Sequence, residues 1–325
     1  MQSERIVASS NQMREVLEQA ESLAPFGHVP VLIGGESGTG KEVVARWIHR
    51  KSPRAIRPFV AVNAAAIPDT LLESELFGHA RGAFTGAQLP SKGLLEEADG
   101  GTLFLDEVGD LSPRAQSVLL RALQEREFRR VGDVSSRRSD FRLVTATHKE
   151  LGAEVAAGRF RHDLLFRLSV ARIHLPSLRE RPADILPLAR YFLETRASGL
   201  GLASKRLSLE AEGALVSYHW PGNVRELSNE LTQALVRAQP AASIEVEHLS
   251  FGSLRSDRGP LRSIAEAFEK GLLADALARS GGNRTHAARA LGISRQGLYR
   301  KLKRHGMAAG ACAEQLAREG ESDIR

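Results

Sequence analysis

The chain has 325 residues, 42% of them hydrophobic and 26% charged, and a formal net charge of +6, which allows one sizeable core and a smaller one, so two or three domains are expected. A single cysteine, Cys312, excludes an intrachain disulfide framework and a cysteine-rich zinc site and fits a reducing compartment. No stretch approaches the roughly 18 apolar residues of a membrane span, and Met1-Gln2-Ser3-Glu4-Arg5 lacks the apolar core of a signal peptide, so a cytoplasmic chain without membrane insertion is expected.

From Val29 to about Leu175, short apolar runs alternate with helical patterns: Val31-Leu32-Ile33, Phe59-Val60-Ala61-Val62, Thr102-Leu103-Phe104-Leu105, Arg142-Leu143-Val144-Thr145-Ala146 and Val170-Ala171-Arg172-Ile173. That alternation predicts a parallel sheet with helices on both faces. After Pro176 the strand signal fades. From Asp184 to about Leu249 apolar residues recur three or four apart, as in Ile185-Leu186-Leu188-Ala189-Phe192 and Leu227-Leu231-Leu235, which predicts helices. The segment 251–261 is polar, contains Gly and reads as a linker. The tail 308–325 is Ala- and Gly-rich, ends in mixed charge and reads as loosely ordered.

The first chemistry-bearing motif is Gly35-Glu36-Ser37-Gly38-Thr39-Gly40-Lys41, which follows an apolar strand and opens the helical pattern Glu42-Val43-Val44-Ala45. Glycines there let backbone N–H groups turn inward around phosphate oxygens, the helix N-terminus adds positive potential, and Lys41 can reach the β and γ phosphates of a nucleotide. Position 42 is Glu, where a P-loop commonly has a Ser or Thr hydroxyl for Mg²⁺, so the metal must lean on other ligands. Asp106 and Glu107, at the end of an apolar strand, supply them: Asp106 is placed for the Mg²⁺ shell and Glu107 to polarise an attacking water. ATP and Mg²⁺ are the cofactors expected.

The positive charge is concentrated near the C-terminus. Between Ala276 and Ala313 there are eight Lys or Arg and no Asp or Glu. An amphipathic helix is expected from Ser263 to Arg279, stopped by Gly281-Gly282. A short helix over Asn283–Leu291, a turn at Gly292-Ile293-Ser294 and a basic helix from Arg295 to Lys303 follow.

These residues together resemble the AAA+ activators of sigma-54 RNA polymerase, the bacterial enhancer-binding proteins, from about Ile6 to Gly306. The P-loop with Glu42 is typical of that family. More specific is Gly82-Ala83-Phe84-Thr85-Gly86-Ala87, preceded by Glu73-Ser74-Glu75-Leu76-Phe77-Gly78-His79, which matches the loop by which the family engages the sigma factor. The resemblance implies an α/β AAA+ P-loop ATPase at 1–176, an α-helical lid at 177–250 and a C-terminal all-α Fis-type helix-turn-helix at 262–307.

Several roles follow from the resemblance residue by residue. Asn63 matches the residue that holds the catalytic glutamate back until the γ-phosphate is sensed, and is paired with Glu107. Thr147 matches the first sensor and is followed by His148, where Asn is more usual. Arg161 and Arg167 match two arginine fingers, which in this family act across a subunit boundary, so a homo-oligomer built from dimers into a hexameric ring is implied. Arg225, in Trp220-Pro221-Gly222-Asn223-Val224-Arg225-Glu226-Leu227, matches the second sensor, with Asn223 also expected to cap its helix.

In the DNA-binding unit, Arg295 and Gln296 are placed to reach base edges, while Arg300, Lys301, Lys303 and Arg304 neutralise phosphates; Arg284, Thr285 and Tyr299 complete the expected contact set. Gly297 stands where the family usually has Thr, at a cost of up to about 1 kcal/mol in helix propensity. The front departs too: Ile6-Val7-Ala8-Ser9-Ser10 lacks the Gly the family commonly has near the adenine pocket.

The expected function is ATP-driven opening of a closed sigma-54 RNA polymerase complex by a protein bound to enhancer DNA. A nucleotide-sensing DNA-binding regulator without motor activity is the alternative. Because the ATPase pattern starts almost at Met1, the resemblance is to the short phage-shock type activators, and control by a separate inhibitory protein or by expression is expected.

Overall fold

The computed structural model describes residues 6–68, 70–125 and 127–251, together with 273, 276–277, 280, 283–291, 293, 297–298 and 301–302 nearer the C-terminus. The chain divides into two compact units, Met1–Leu249 and Ser250–Arg325.

Five parallel strands form the central sheet of the first unit: β1 (Val31–Gly34), β2 (Phe59–Asn63), β3 (Thr102–Asp106), β4 (Arg142–Thr147) and β5 (Ala171–His174), in the order β2-β3-β4-β1-β5. Alternate residues on each strand serve opposite faces. Val31, Ile33, Phe104, Val144 and Ala146 pack with the helices Asn11–Leu23 and Lys41–Arg50. Leu32, Leu103, Leu105 and Leu143 pack on the other side, with Pro113–Glu125 and His162–Leu168. The parallel sheet covered on both faces is therefore as expected.

Register brings the functional ends of the strands level. Gly34 pairs with Thr147 and His174, and Asn63 with Asp106. Ligands in open α/β sheets bind beyond the carboxyl ends of the strands, and the P-loop leaves β1 at that edge.

One buried charge staples this layer. Arg142 at the start of β4 is fully buried. Its Nη1 donates to Ala24 O at 2.9 Å and its Nη2 to Leu23 O at 2.8 Å, satisfying carbonyls at the end of the first helix. Burial, with a smaller contribution from Arg54, lowers its pKa to about 10, so it remains charged at neutral pH. Arg142→Leu strands both carbonyls, and a loss of about 2–4 kcal/mol is expected in a urea titration.

Past β5, helices Ile185–Gly199, Leu209–Ser217 and Asn223–Arg237 pack around buried Leu193, Leu215, Leu227, Leu231 and Trp220. A two-residue parallel pair, Arg206–Leu207 with Ser243–Ile244, lies among them; so short a pair leaves no alternating signal in the sequence. The first unit contains no described helix long and apolar enough to cross a membrane.

In the second unit, Arg284–Ala290 is helical, capped by Asn283, whose Oδ1 accepts from the N–H groups of Thr285 at 3.0 Å and His286 at 3.2 Å. Leu273, Ala276, Ala287, Ala288, Leu298 and Leu302 form one buried cluster, consistent with helices on either side of a turn. Arg284 and Lys301 are partly buried and Thr285 is exposed. The expected DNA contacts Arg295, Gln296, Tyr299, Arg300, Lys303 and Arg304 lie outside the described residues, as do 252–272, which hold all of the expected linker except Phe251, and the expected tail 308–325.

Candidate functional site

The P-loop from Gly35 to Lys41 closes over the end of β1, and Gly40 takes the left-handed conformation directly before the helix that Lys41 begins. Gly38 has φ 78°, and a side chain there would bring Cβ within 2.4 Å of Gly222 O. Its own carbonyl accepts from the N–H groups of Val224 at 3.0 Å and Arg225 at 3.3 Å. Glycine is thus required where the loop is pressed against the third lid helix.

Lys41 is buried, with Nζ donating to Gly35 O at 3.0 Å and Glu36 O at 3.3 Å. The same ammonium lies 3.8 Å from Glu107 Oε1. Asp106, beside it at the end of β3, has its pKa raised, first by burial and then by the charge of Glu107. A half-buried carboxylate destabilised in this way fits a divalent cation, whose charge relieves both effects. Glu42 bonds Arg46 at 2.6 and 2.9 Å, an ion pair one helical turn away. Thr39 Oγ1 donates to Glu36 O at 2.8 Å. The cleft containing Lys41, Asp106 and Glu107 has a volume of about 300 Å³ and is walled on the lid side by Phe192, Arg196 and Arg225. A larger concavity, about 880 Å³, lies apart from it, lined by Phe77, Arg121, Phe128 and Gly132; it contains no P-loop residue and lacks the chemistry of the smaller cleft.

Glu107 has a left-handed backbone, φ 54° and ψ 45°, uncommon for a residue with a side chain. The expected pairing with Asn63 is not formed. Asn63 Oδ1 instead accepts from Ala65 N at 2.9 Å, capping the turn Ala64–Ala66, because the N–H groups of a helical turn's start need acceptors close in sequence. Glu107 is held from the other neighbouring strand: His148 Nδ1 lies 2.7 Å from Oε2, and His148 N donates to the same oxygen at 3.3 Å. Thr147 is buried at the end of β4, with Oγ1 accepting from Lys149 N at 3.0 Å.

The lid grips the P-loop partly through residues to which the sequence assigned no role, Arg179, Arg181 and Asp184. Glu36 bonds Arg179 at 2.9 and 2.5 Å and accepts from Asn223 Nδ2 at 3.0 Å. The Arg179 bond, then the Asn223 bond, pull its carboxyl from 4.5 to about 2. Asn223 is not the expected cap: Gly222 holds that position, and the buried Asn223 amide also donates to Ser37 O at 3.0 Å and accepts from Leu178 N at 2.8 Å. Arg225 Nη1 donates to Ser37 Oγ at 3.0 Å, which places the expected second sensor at the loop. Buried Arg181 donates to Thr39 O at 2.7 Å and lies 4.0 Å from Asp184, which accepts from Ser9 N, Ser10 N and Ser10 Oγ at 2.6–2.7 Å. The Arg-Glu-Arg-Pro-Ala-Asp run at 179–184 was the available signal, charged residues amid an otherwise apolar approach to the lid.

Arg161 and Arg167 do not line this cleft of their own chain. Arg161 precedes the helix His162–Leu168 and is paired with Asp163 at 3.0 and 2.7 Å. Arg167 Nη2 donates to Leu123 O at 3.0 Å.

The hexapeptide Gly82 to Ala87 stands above a short antiparallel ribbon, Gly78–His79 with Ser91–Lys92. Gly82 N donates to Ala87 O at 2.8 Å, closing the loop's base, and Ala87 is buried. Phe84 and Thr85 are exposed, the Phe84 ring meeting the His79 ring edge-on at 5.0 Å. A second ribbon, Glu127–Phe128 with Arg137–Arg138, supports the first: Ala80 N donates to Val131 O and Val131 N to Gly78 O, each at 2.9 Å. Arg130 forks onto Glu96 at 2.7–3.2 Å beneath it. The tip is therefore exposed on a braced stem.

Comparison with known proteins accounts for each part. The sigma-54 interaction domain matches residues 6–174, the AAA+ ATPase lid domain 179–260 and the Fis-family bacterial regulatory protein domain 264–305. The transcriptional regulatory protein ZraR of Klebsiella oxytoca is 48% identical over 305 residues, covering 92% of this chain and 68% of ZraR. The DNA-binding transcriptional regulator NtrC of Salmonella typhimurium is 47% identical over 307 residues, covering 86% of this chain and 66% of NtrC. The crystal structure of NtrX from Brucella abortus in complex with ATP superposes with a TM-score of 0.71 at 36% identity, over 94% of this chain and 70% of that one. The chain spans about two thirds of the length of these relatives. With its P-loop and acidic strand end meeting under a helical lid, and with all three domain types matched in order, the chain belongs to the AAA+ sigma-54-dependent transcriptional activators.

Proposed function

We propose that this chain binds ATP with Mg²⁺, hydrolyses it at an interface between protomers of a ring, and uses that turnover to open a closed sigma-54 RNA polymerase complex from a site on enhancer DNA. The observation that carries this reading is the meeting of Lys41, Asp106 and Glu107 in one cleft, Nζ 3.8 Å from the Glu107 carboxylate, beneath Arg225. A nucleotide sensor without turnover has no use for a carboxylate so placed.

Asp106 would hold Mg²⁺, which when bound neutralises phosphate charge and orients the terminal phosphate. P-loop N–H groups and the Lys41 ammonium bind the phosphates, for which Lys41 exchanges the loop carbonyls it now bonds. Glu107 accepts a proton from the attacking water, while Arg161 and Arg167 of a neighbouring protomer stabilise charge on the transferring group. Arg225 and Asn223, bonded to Ser37 and Glu36, transmit any P-loop movement to the lid. The exposed Phe84-Thr85 tip contacts the sigma factor, and the helices bearing Arg284, Thr285 and Lys301 contact DNA.

Thr85→Ala separates the motor from its output. Thr85 is exposed and does not line the cleft, so ATP turnover is expected to stay near wild type while open-complex formation on a sigma-54 promoter is lost. Phosphate release and permanganate footprinting on the same preparation check this. Full promoter opening by Thr85→Ala would overturn the coupling.

A further inference from the structure

The cleft raises a question of aim: Glu107 is a flexible side chain that must present one oxygen to a water. Its backbone is fixed in the left-handed region, and Glu107 N donates to Asp106 Oδ1 at 3.0 Å, so the chain direction at that point is set. The carboxylate itself is set from β4. His148 contributes two donors to a single oxygen, Nδ1 at 2.7 Å and its own backbone N–H at 3.3 Å. An ionised carboxylate only accepts, so the imidazole carries its proton on Nδ1.

Each carboxylate oxygen offers about two acceptor sites. Both sites of Oε2 are occupied by residue 148, which leaves Oε1 as the oxygen facing Lys41 Nζ at 3.8 Å, on the phosphate side of the cleft. A second link ties the same two chain segments: Lys149 Nζ lies 2.6 Å from Asp110 Oδ1 and donates to Gly109 O at 3.2 Å. The ends of β3 and β4 are thereby held together around the Glu107 carboxylate. Asn63, on the opposite neighbour β2, is committed to its own turn.

We infer that His148 is a positioning residue for hydrolysis: it occupies Oε2 of Glu107 so that Oε1 is aimed at the attacking water. This rests on the reading of Glu107 as the general base. The geometry also defines which residues can replace His148. The imidazole Nδ1 and the asparagine Nδ2 are each one bond beyond Cγ, so Asn can put a donor in the same place. The glutamine amide is one bond further out and cannot without displacing the carboxylate.

The experiment is steady-state ATP hydrolysis by the purified full chain, alongside binding of a fluorescent ATP analogue, for His148→Leu, His148→Ala, His148→Asn, His148→Gln and Glu107→Gln. His148→Leu and His148→Ala are expected to lower kcat about 10- to 100-fold, the scale of a small misplacement of a reacting group. Analogue affinity should be unchanged, because His148 bonds no P-loop atom. His148→Asn should recover most of the lost kcat and His148→Gln should not. Since the side chain is 41% exposed, either truncation is compatible with folding, and unchanged analogue binding verifies it. Turnover by both truncations at or above wild type, with Glu107→Gln inactive, would overturn the positioning role alone. Recovery by Gln equal to that by Asn would overturn it as well. Turnover retained in Glu107→Gln would instead overturn the assignment of the base.

Discussion

Arg161→Ala is expected to lower ATP turnover by about 10³- to 10⁵-fold, the range for loss of an arginine that stabilises a transferring phosphoryl group. In one chain this would be puzzling, since Arg161 is bonded to Asp163 and does not line the cleft with Lys41 and Glu107. The proposed action from a neighbouring protomer would resolve the difficulty. Arg161 is exposed just before the helix His162–Leu168, with Asp163 holding the guanidinium in one orientation until a phosphate competes for it. Mixing provides the decisive measurement. Arg161→Ala retains a complete phosphate cleft, and Glu107→Gln retains the arginine, so a ring assembled from both contains some competent interfaces. Phosphate release should therefore reappear when the two inactive proteins are combined and rise steeply with concentration. If the arginine acted within its own chain, no mixture would recover turnover.

Glu107→Gln carries the second large effect. The change is isosteric and removes the proton acceptor, and a general base is worth about 10²- to 10⁴-fold in rate. ATP should still bind, because the phosphate contacts reside in the P-loop and Lys41. The variant is thus expected to trap ATP without releasing phosphate, as read by filter binding and a phosphate assay on one sample. Binding lost together with turnover would instead assign Glu107 to the construction of the pocket, where its 3.8 Å approach to Lys41 could support the loop.

The same residue shows where reading the chain in sequence reaches its limit. Glu107 follows β3, which lies between β2 and β4. Asn63 at the end of β2 and His148 just past β4 are both polar residues able to hold it, and the sequence pointed only to Asn63. The first bonds the turn after it and the second bonds the glutamate. Local competition for a backbone N–H settled the fate of Asn63, a contest visible only once the following turn exists. Asn223 followed a parallel course: as a helix-start residue it suits a cap, yet the proximity of the P-loop drew its amide to Glu36, Ser37 and Leu178.

The amino-acid sequence by itself determined the alternation of strand and helix, the glycine-rich loop with Lys41, the acidic end of β3, the Gly82 to Ala87 hexapeptide and the concentration of Lys and Arg near the C-terminus. These are properties of neighbours in the chain, where periodicity and backbone freedom act over a few residues. Only the tertiary structure decided the hold of His148 on Glu107, the Glu36–Arg179–Asn223 latch and the buried anchors Arg142, Arg181 and Asp184. Their partners lie tens to nearly two hundred positions away, and strand order and register determine which distant polar groups come within reach; for Arg142, Arg181 and Asp184 they meet in a space from which water is excluded. In such a space an unpaired polar group is costly, so each takes the partner that packing brings within reach rather than the one its sequence position suggests.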